Sequence, residues 1–161
     1  MKASGTFAII AALAVAACSS GSQSGTPDTD AGGPVGFMGA RWTANLSAQP
    51  GSPSTTVSGT GTVMGNSENT QTRVEVSLNG AQADARLPWH LHRGTCGNDQ
   101  GIVGEASEYA PLTVGSDGRA TGSATITVPM PTTGEYMINV HASSTDLGTI
   151  VACGNLSGPS Q

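Results

Sequence analysis

The sequence predicts an all-β fold, an antiparallel sandwich or flattened barrel of seven to eight short strands, from three observations. The first is composition: 23 Gly, 18 Ser and 19 Thr in 161 residues outnumber the strong helix formers, and these types favour turns, caps and strands over helix interiors. The second is the run 72–79, where Val74, Val76 and Leu78 alternate with Arg73, Glu75 and Ser77, which places one face on a core and the other in water. The third is the regular return of such runs between clusters of turn residues, with no ten-residue window carrying a helical stripe and no internal repeat. A chain of this length supports one core. Six basic against eleven acidic residues give a net charge of −5, which excludes an electrostatic grip on nucleic acid.

Taken in order, residues 1–17 read as an export signal, with Lys2 ahead of an apolar run 7–17 that ends at Cys18. The run is about half of what a bilayer crossing needs. Val15-Ala16-Ala17-Cys18 resembles the lipobox of bacterial lipoproteins, which implies that Cys18 is the lipidated mature N-terminus and the membrane anchor. With Ser19 after the Cys, the same pattern implies the outer membrane, facing the periplasm or the cell surface. Residues 18–39 are Gly, Ser, Thr, Pro and Asp with almost no bulky apolar side chain, a flexible tether with a reach on the order of 25 Å. The folded domain is then 40–161. Its expected strands are 41–47, 55–64, 72–79, 87–92, 120–128, 136–141 and 149–153, punctuated by turns at 49–51, 115–118 and 129–134. Residues 98–111 are the one long irregular stretch, a place where β scaffolds often carry function.

Lipidation would use Cys18 and leave Cys96 and Cys153 as an even pair in an oxidising compartment, where they are expected to form a disulfide. A loop of that length stabilises the fold by about 4 kcal/mol in the chain-entropy account.

The chemistry-bearing residues are few. Only three histidines occur, His90 and His92 as an H-x-H pair and His141 at the end of another expected strand. Residues two apart on a strand share a face, so both rings of the pair project together, opposite Trp89 and Leu91. The same alternation sets His141 with Met137 and Asn139. All three rings are expected on the outside of the sandwich, where removing one would leave folding nearly intact. Three imidazoles suit copper or zinc and leave a coordination position open.

Trp89-His90-Leu91-His92, Cys96-Gly97, residues 115–120, Asn139-Val140-His141, Asp146-Leu147-Gly148 and Val151-Ala152-Cys153-Gly154 together resemble the copper/zinc superoxide dismutases in order and character, over roughly residues 41–156. The resemblance implies a Greek-key β-barrel, Cys96–Cys153 as the intrasubunit disulfide, and His90, His92 and His141 as ligands of one copper. It also implies a place for Asp146 beside the metal loops, behind the ligands. The departures are equally specific. No histidine remains to bridge to a zinc site, so no zinc is expected, and Ile150 stands where that family has its superoxide-guiding arginine. Arg93, directly after the H-x-H pair, is the one candidate for a substitute cation. Glu105 and Glu108 are spare carboxylates in the 98–111 stretch, and Met137 is apolar filling or a soft contact for Cu(I).

The expectation is therefore an exported, lipid-anchored envelope protein with a dismutase-like domain, one copper on three histidines, and low or modified dismutation of superoxide. Two alternatives stand beside it: a copper-binding or buffering protein without turnover, and a structural β-sandwich with a vestigial metal site. Oligomeric state is not legible.

Overall fold

Alternation of the kind seen at 72–79 builds the middle of the molecule. In the computed structural model β1 (Arg41–Ala48), β2 (Ser58–Gly65) and β3 (Thr72–Asn79) form an antiparallel meander in continuous register, from Arg41 opposite Met64 to Ser47 opposite Ser58, and from Ser58 opposite Asn79 to Gly65 opposite Thr72. Val74, Val76 and Leu78 are buried on one face while Arg73, Glu75 and Ser77 stay half-exposed. The chain divides into two units, 1–31 and 32–161. The structure describes residues 1, 36, 37 and 40–158; the expected signal segment, Cys18 and the tether fall, apart from residues 1, 36 and 37, outside them.

The remaining elements are β4 (Arg86–Leu87), β5 (Trp89–Thr95), β6 (Asn98–Ile102), a 3-10 turn (Ala106–Glu108), β7 (Leu112–Thr113), β8 (Ala120–Ile126), β9 (Tyr136–Ser143) and β10 (Asp146–Ser157). Eight strands form one antiparallel sheet in the order β6-β5-β9-β10-β1-β2-β3-β8, and β4 pairs with β7 in a separate ribbon. The described residues contain no α-helix, so the expected all-β class holds.

Two glycines show how far the sheet curls. A Cβ on Gly61 of β2 would strike the Ile138 side chain of β9, three strands away in sheet order, and a Cβ on Gly122 of β8 would sit 3.6 Å from Trp89 Nε1 of β5. Strands near opposite ends of the sheet therefore face each other across one core, a half-barrel filled by Trp89, Leu91, Val63, Val74, Ile126 and Ile138. Trp89 is wholly buried, with its indole N–H donating to the Ala110 carbonyl at 2.9 Å, which satisfies its one polar atom.

The stretch 98–111 is not one irregular loop. It opens with β6, which folds back on β5 as a hairpin, and closes with the 3-10 turn held by the Glu108 carboxylate, which accepts from the Glu105 N–H at 3.0 Å and from the Thr127 N–H and hydroxyl at 2.9 Å each. That carboxylate is committed to the turn. β6 reads Asn-Asp-Gln-Gly-Ile, exposed until its last residue, so it carries no alternation to betray a strand. The hairpin is fastened to β10 by the Cys96–Cys153 disulfide, with Cα atoms 5.9 Å apart.

Candidate metal centre

Strand alternation brings the three histidines together, because β5 and β9 pair with His90 opposite Asn139 and His92 opposite Met137, leaving His141 two residues beyond Asn139 on the same face. The ring centroids are 5.6 Å apart for His90 and His92, 5.2 Å for His90 and His141, and 5.7 Å for His92 and His141. One nitrogen from each ring lies within 4.8 Å of the other two.

The expectation that these rings face solvent is corrected. His90, His92 and His141 are 6%, 4% and 4% exposed. Trp89 and Leu91 do occupy the opposite face, as alternation requires, but the histidine side of β5 is also covered. Ile102 of β6, the Asp99 side chain and Leu147 roof the pocket in which the rings sit, and the Tyr109 ring packs edge-on against His90 at 5.3 Å. Both faces of β5 are buried for its first four residues.

Hydrogen bonds orient two of the rings. The Leu147 carbonyl can only accept, so His141 donates its Nδ1–H to it at 2.7 Å and presents Nε2 as a lone pair. The His92 Nδ1–H donates to Asp99 Oδ1 at 2.8 Å, and the same carboxylate oxygen accepts the Gly101 N–H at 2.7 Å. His92 Nε2 is then a bare acceptor. It is the one fully buried side-chain nitrogen or oxygen without a partner among the described residues. His90 Nδ1 stands 3.2 Å from His141 Nε2, and because that Nε2 is a lone pair, His90 must be the donor.

Burial resists protonation of two of the rings. Burial, followed by the neighbouring His141 and His92, pulls the pKa of His90 down from 6.5 to about 4. His141 is likewise lowered by burial, against the opposing pull of its bond to Leu147. Burial works against ionisation of Asp99, but the Gly101 N–H and His92 outweigh it and hold the carboxyl below its ordinary value. Three imidazoles beside one carboxylate are a donor set for a transition-metal ion. An ion about 2 Å from each nitrogen asks for separations of about 3.3 to 3.6 Å between them, and the His90–His141 pair already stands at 3.2 Å.

The other expected site residues lie elsewhere. Arg93 is exposed on the Trp89–Leu91 side of β5 and borders a surface cleft with Tyr136 and Met130, so it does not line the pocket of the three rings. Asp146 touches no ring; its carboxylate accepts the Thr149 N–H at 3.0 Å and shapes the turn from which Leu147 reaches His141. Glu105 and Glu108 are not in the ligand cluster. Met137 is fully buried, its Sδ 3.8 Å from Cys153 Sγ. Sequence reasoning missed Asp99, whose signal was faint: a lone acidic residue two positions after a turn-forming Cys96-Gly97, in a strand that showed no period.

A family model describes residues 42–150 as a CHRD domain. The chain belongs to the CHRD domain family. That span holds the meander but for Arg41, the three histidines and Asp99, and it overturns both the resemblance to copper/zinc superoxide dismutases and the dismutase function drawn from it. No curated protein matches the chain. The resemblance rested on short pieces, an H-x-H strand, a V-H strand and an A-C-G closure, which a curled antiparallel sheet with one disulfide and an inward histidine cluster also supplies. The residues that would make the likeness specific, a bridging histidine and a guiding arginine, are absent from the chain.

Proposed function

We propose that this CHRD domain is a metal-ion-binding domain, holding one ion through His90 Nδ1, His92 Nε2 and His141 Nε2. The observation that carries the reading is the buried, unpartnered Nε2 of His92. A buried acceptor without a partner costs on the order of 1–3 kcal/mol, and a bound ion would remove that cost while using the lone pair that Leu147 fixes on His141. His90 completes the set by moving its proton from Nδ1 to Nε2. Asp99 and the Leu147 carbonyl act as the outer partners that hold ring orientation and raise ligand basicity. Bound there, the ion would offer a Lewis-acidic position open to one further ligand.

Copper is the metal we assign. Imidazole suits copper and zinc alike, and the Irving–Williams order favours Cu(II) over Zn(II) for a given nitrogen site. We further propose that the protein works outside the cytoplasm, anchored to the cell envelope through lipidated Cys18. The Cys96–Cys153 disulfide supports an oxidising compartment, and the apolar run ending at Cys18 supports the anchor. Titration of the metal-free protein with Cu(II) and with Zn(II) against a competing chelator tests the assignment. One equivalent of Cu(II) held more tightly than Zn(II), and lost in His92→Gln, is the expected outcome; binding that is absent, or unchanged in His92→Gln, would remove the metal reading and leave a structural β-sandwich.

A further inference from the structure

Beside the histidine pocket, and sharing Asp99 and Leu147 with it, lies a second cleft of about 540 Å³. Its lining includes Pro50, Asp99, Met137, Asn139, Thr149 and Ile150. This volume falls in the range of small-molecule sites. Asn139 makes it more than a surface dent. The residue is 3% exposed, sits on β9 between His90 on one side and Cys153 on the other, and no hydrogen bond reaches its side chain among the described residues. The His92 nitrogen is the one unpartnered atom sealed from the surface, so the Asn139 amide is open to the cleft that it lines. Buried amides are ordinarily paired; this one has its donors and acceptor free.

We propose that this cleft is a binding site for a small, amide-bearing molecule that carries no negative charge. A carboxamide or peptide group complements Asn139 reciprocally, its N–H to the side-chain oxygen and its carbonyl from the side-chain NH₂. Asp99 selects the charge. Its Oδ1 is engaged by His92 and Gly101, leaving Oδ2 to accept from an N–H or ammonium end of the ligand. No lysine or arginine lines the cleft, so a carboxylate or phosphate would meet Asp99 with nothing to offset the repulsion. Pro50 and Ile150 supply apolar walls. The site needs no bound metal, so it stands or falls separately from the metal reading.

The test uses the full chain, metal-free and disulfide-intact, with glycinamide and acetamide as probes and acetate as the anionic comparison. The readout during titration is the side-chain ¹⁵NH₂ signal of Asn139 in the parent chain and, in every variant, the backbone amide signal of Ile150 in the cleft wall. Saturable shifts with glycinamide and acetamide, glycinamide the tighter, and none with acetate, are expected. Asn139→Leu removes the amide at similar volume, and Thr149→Phe fills the cleft from its half-exposed wall, so that the proposal stays testable where the first variant does not fold. Each is expected to weaken binding roughly ten-fold, the loss of about one hydrogen-bonded anchor. No saturable shift, meaning a cleft that holds only water, would overturn the proposal. Equal shifts with acetate, or binding that survives in Thr149→Phe, would overturn it as well.

Discussion

The pair His92 and Asp99 concentrates the chemistry of this domain into one contact. Asp99 Oδ1 fixes the proton on His92 Nδ1 and so leaves the buried Nε2 bare. Asp99→Asn keeps an oxygen that can accept the same N–H but removes the charge, and metal affinity is expected to fall by roughly 10- to 100-fold, the usual effect of altering an outer partner; chelator competition measures it, and an unchanged affinity would contradict the role given to Asp99. A second expectation concerns pH. The unfolded chain protonates His90 near 6.5, whereas the folded metal-free protein resists until about 4. Stability present above pH 6.5 is therefore lost as pH falls from 6.5 toward 4, because the unfolded state takes up the proton first. Urea midpoints at pH 7, 5.5 and 4.5 should decline in that order and decline less in His90→Gln; a flat profile would contradict the burial of this ring.

Among the elements, the β5–β6 hairpin is the one that builds the site, because it supplies two histidines from one strand and Asp99 from the other. Its geometry calls for glycine inside β5. Gly94 has φ +99°, falls in the register shift between β5 and β6, and a Cβ there would collide with the Asn98 carbonyl. Gly94→Ala is expected to lose on the order of 2–3 kcal/mol through this strained conformation and contact, and to weaken metal binding by displacing Asp99. Thermal unfolding and titration of the same variant check both effects. The meander β1 to β3 was legible residue by residue, since one face meets a core and the other meets water. β6 was not, because an exposed edge strand of Asn, Asp, Gln and Gly leaves no periodic trace. The histidine face of β5 was half legible. Alternation correctly separated His90 and His92 from Trp89 and Leu91, but whether a face is covered depends on elements that arrive from elsewhere, here β6 and the start of β10, which carries Leu147.

At the scale of the molecule, one sheet curls over one core and is stapled between the β5–β6 hairpin and β10. The loop closed by Cys96 and Cys153 spans 57 residues of sequence separation, so Cys153→Ser is expected to cost about 4 kcal/mol in the chain-entropy account, read as a lower urea midpoint with unchanged strand content. The all-β class was legible at this scale from Gly, Ser and Thr content and from strand spacing. Family membership was not, because short histidine and cysteine patterns fit more than one curled sheet, and it took a match over residues 42–150 to separate them.

In the proposed centre three inward imidazoles hold one metal ion through a defined set of nitrogens. Long-range ¹H–¹⁵N correlation spectra of the histidine rings, recorded on metal-free protein and on protein loaded with one equivalent of diamagnetic Cu(I), test it most directly. Metal-induced shifts are expected at Nδ1 of His90 and at Nε2 of His92 and His141, with protons retained on Nδ1 of His92 and His141. Shifts confined to other nitrogens, or rings left unchanged by the metal, would contradict it.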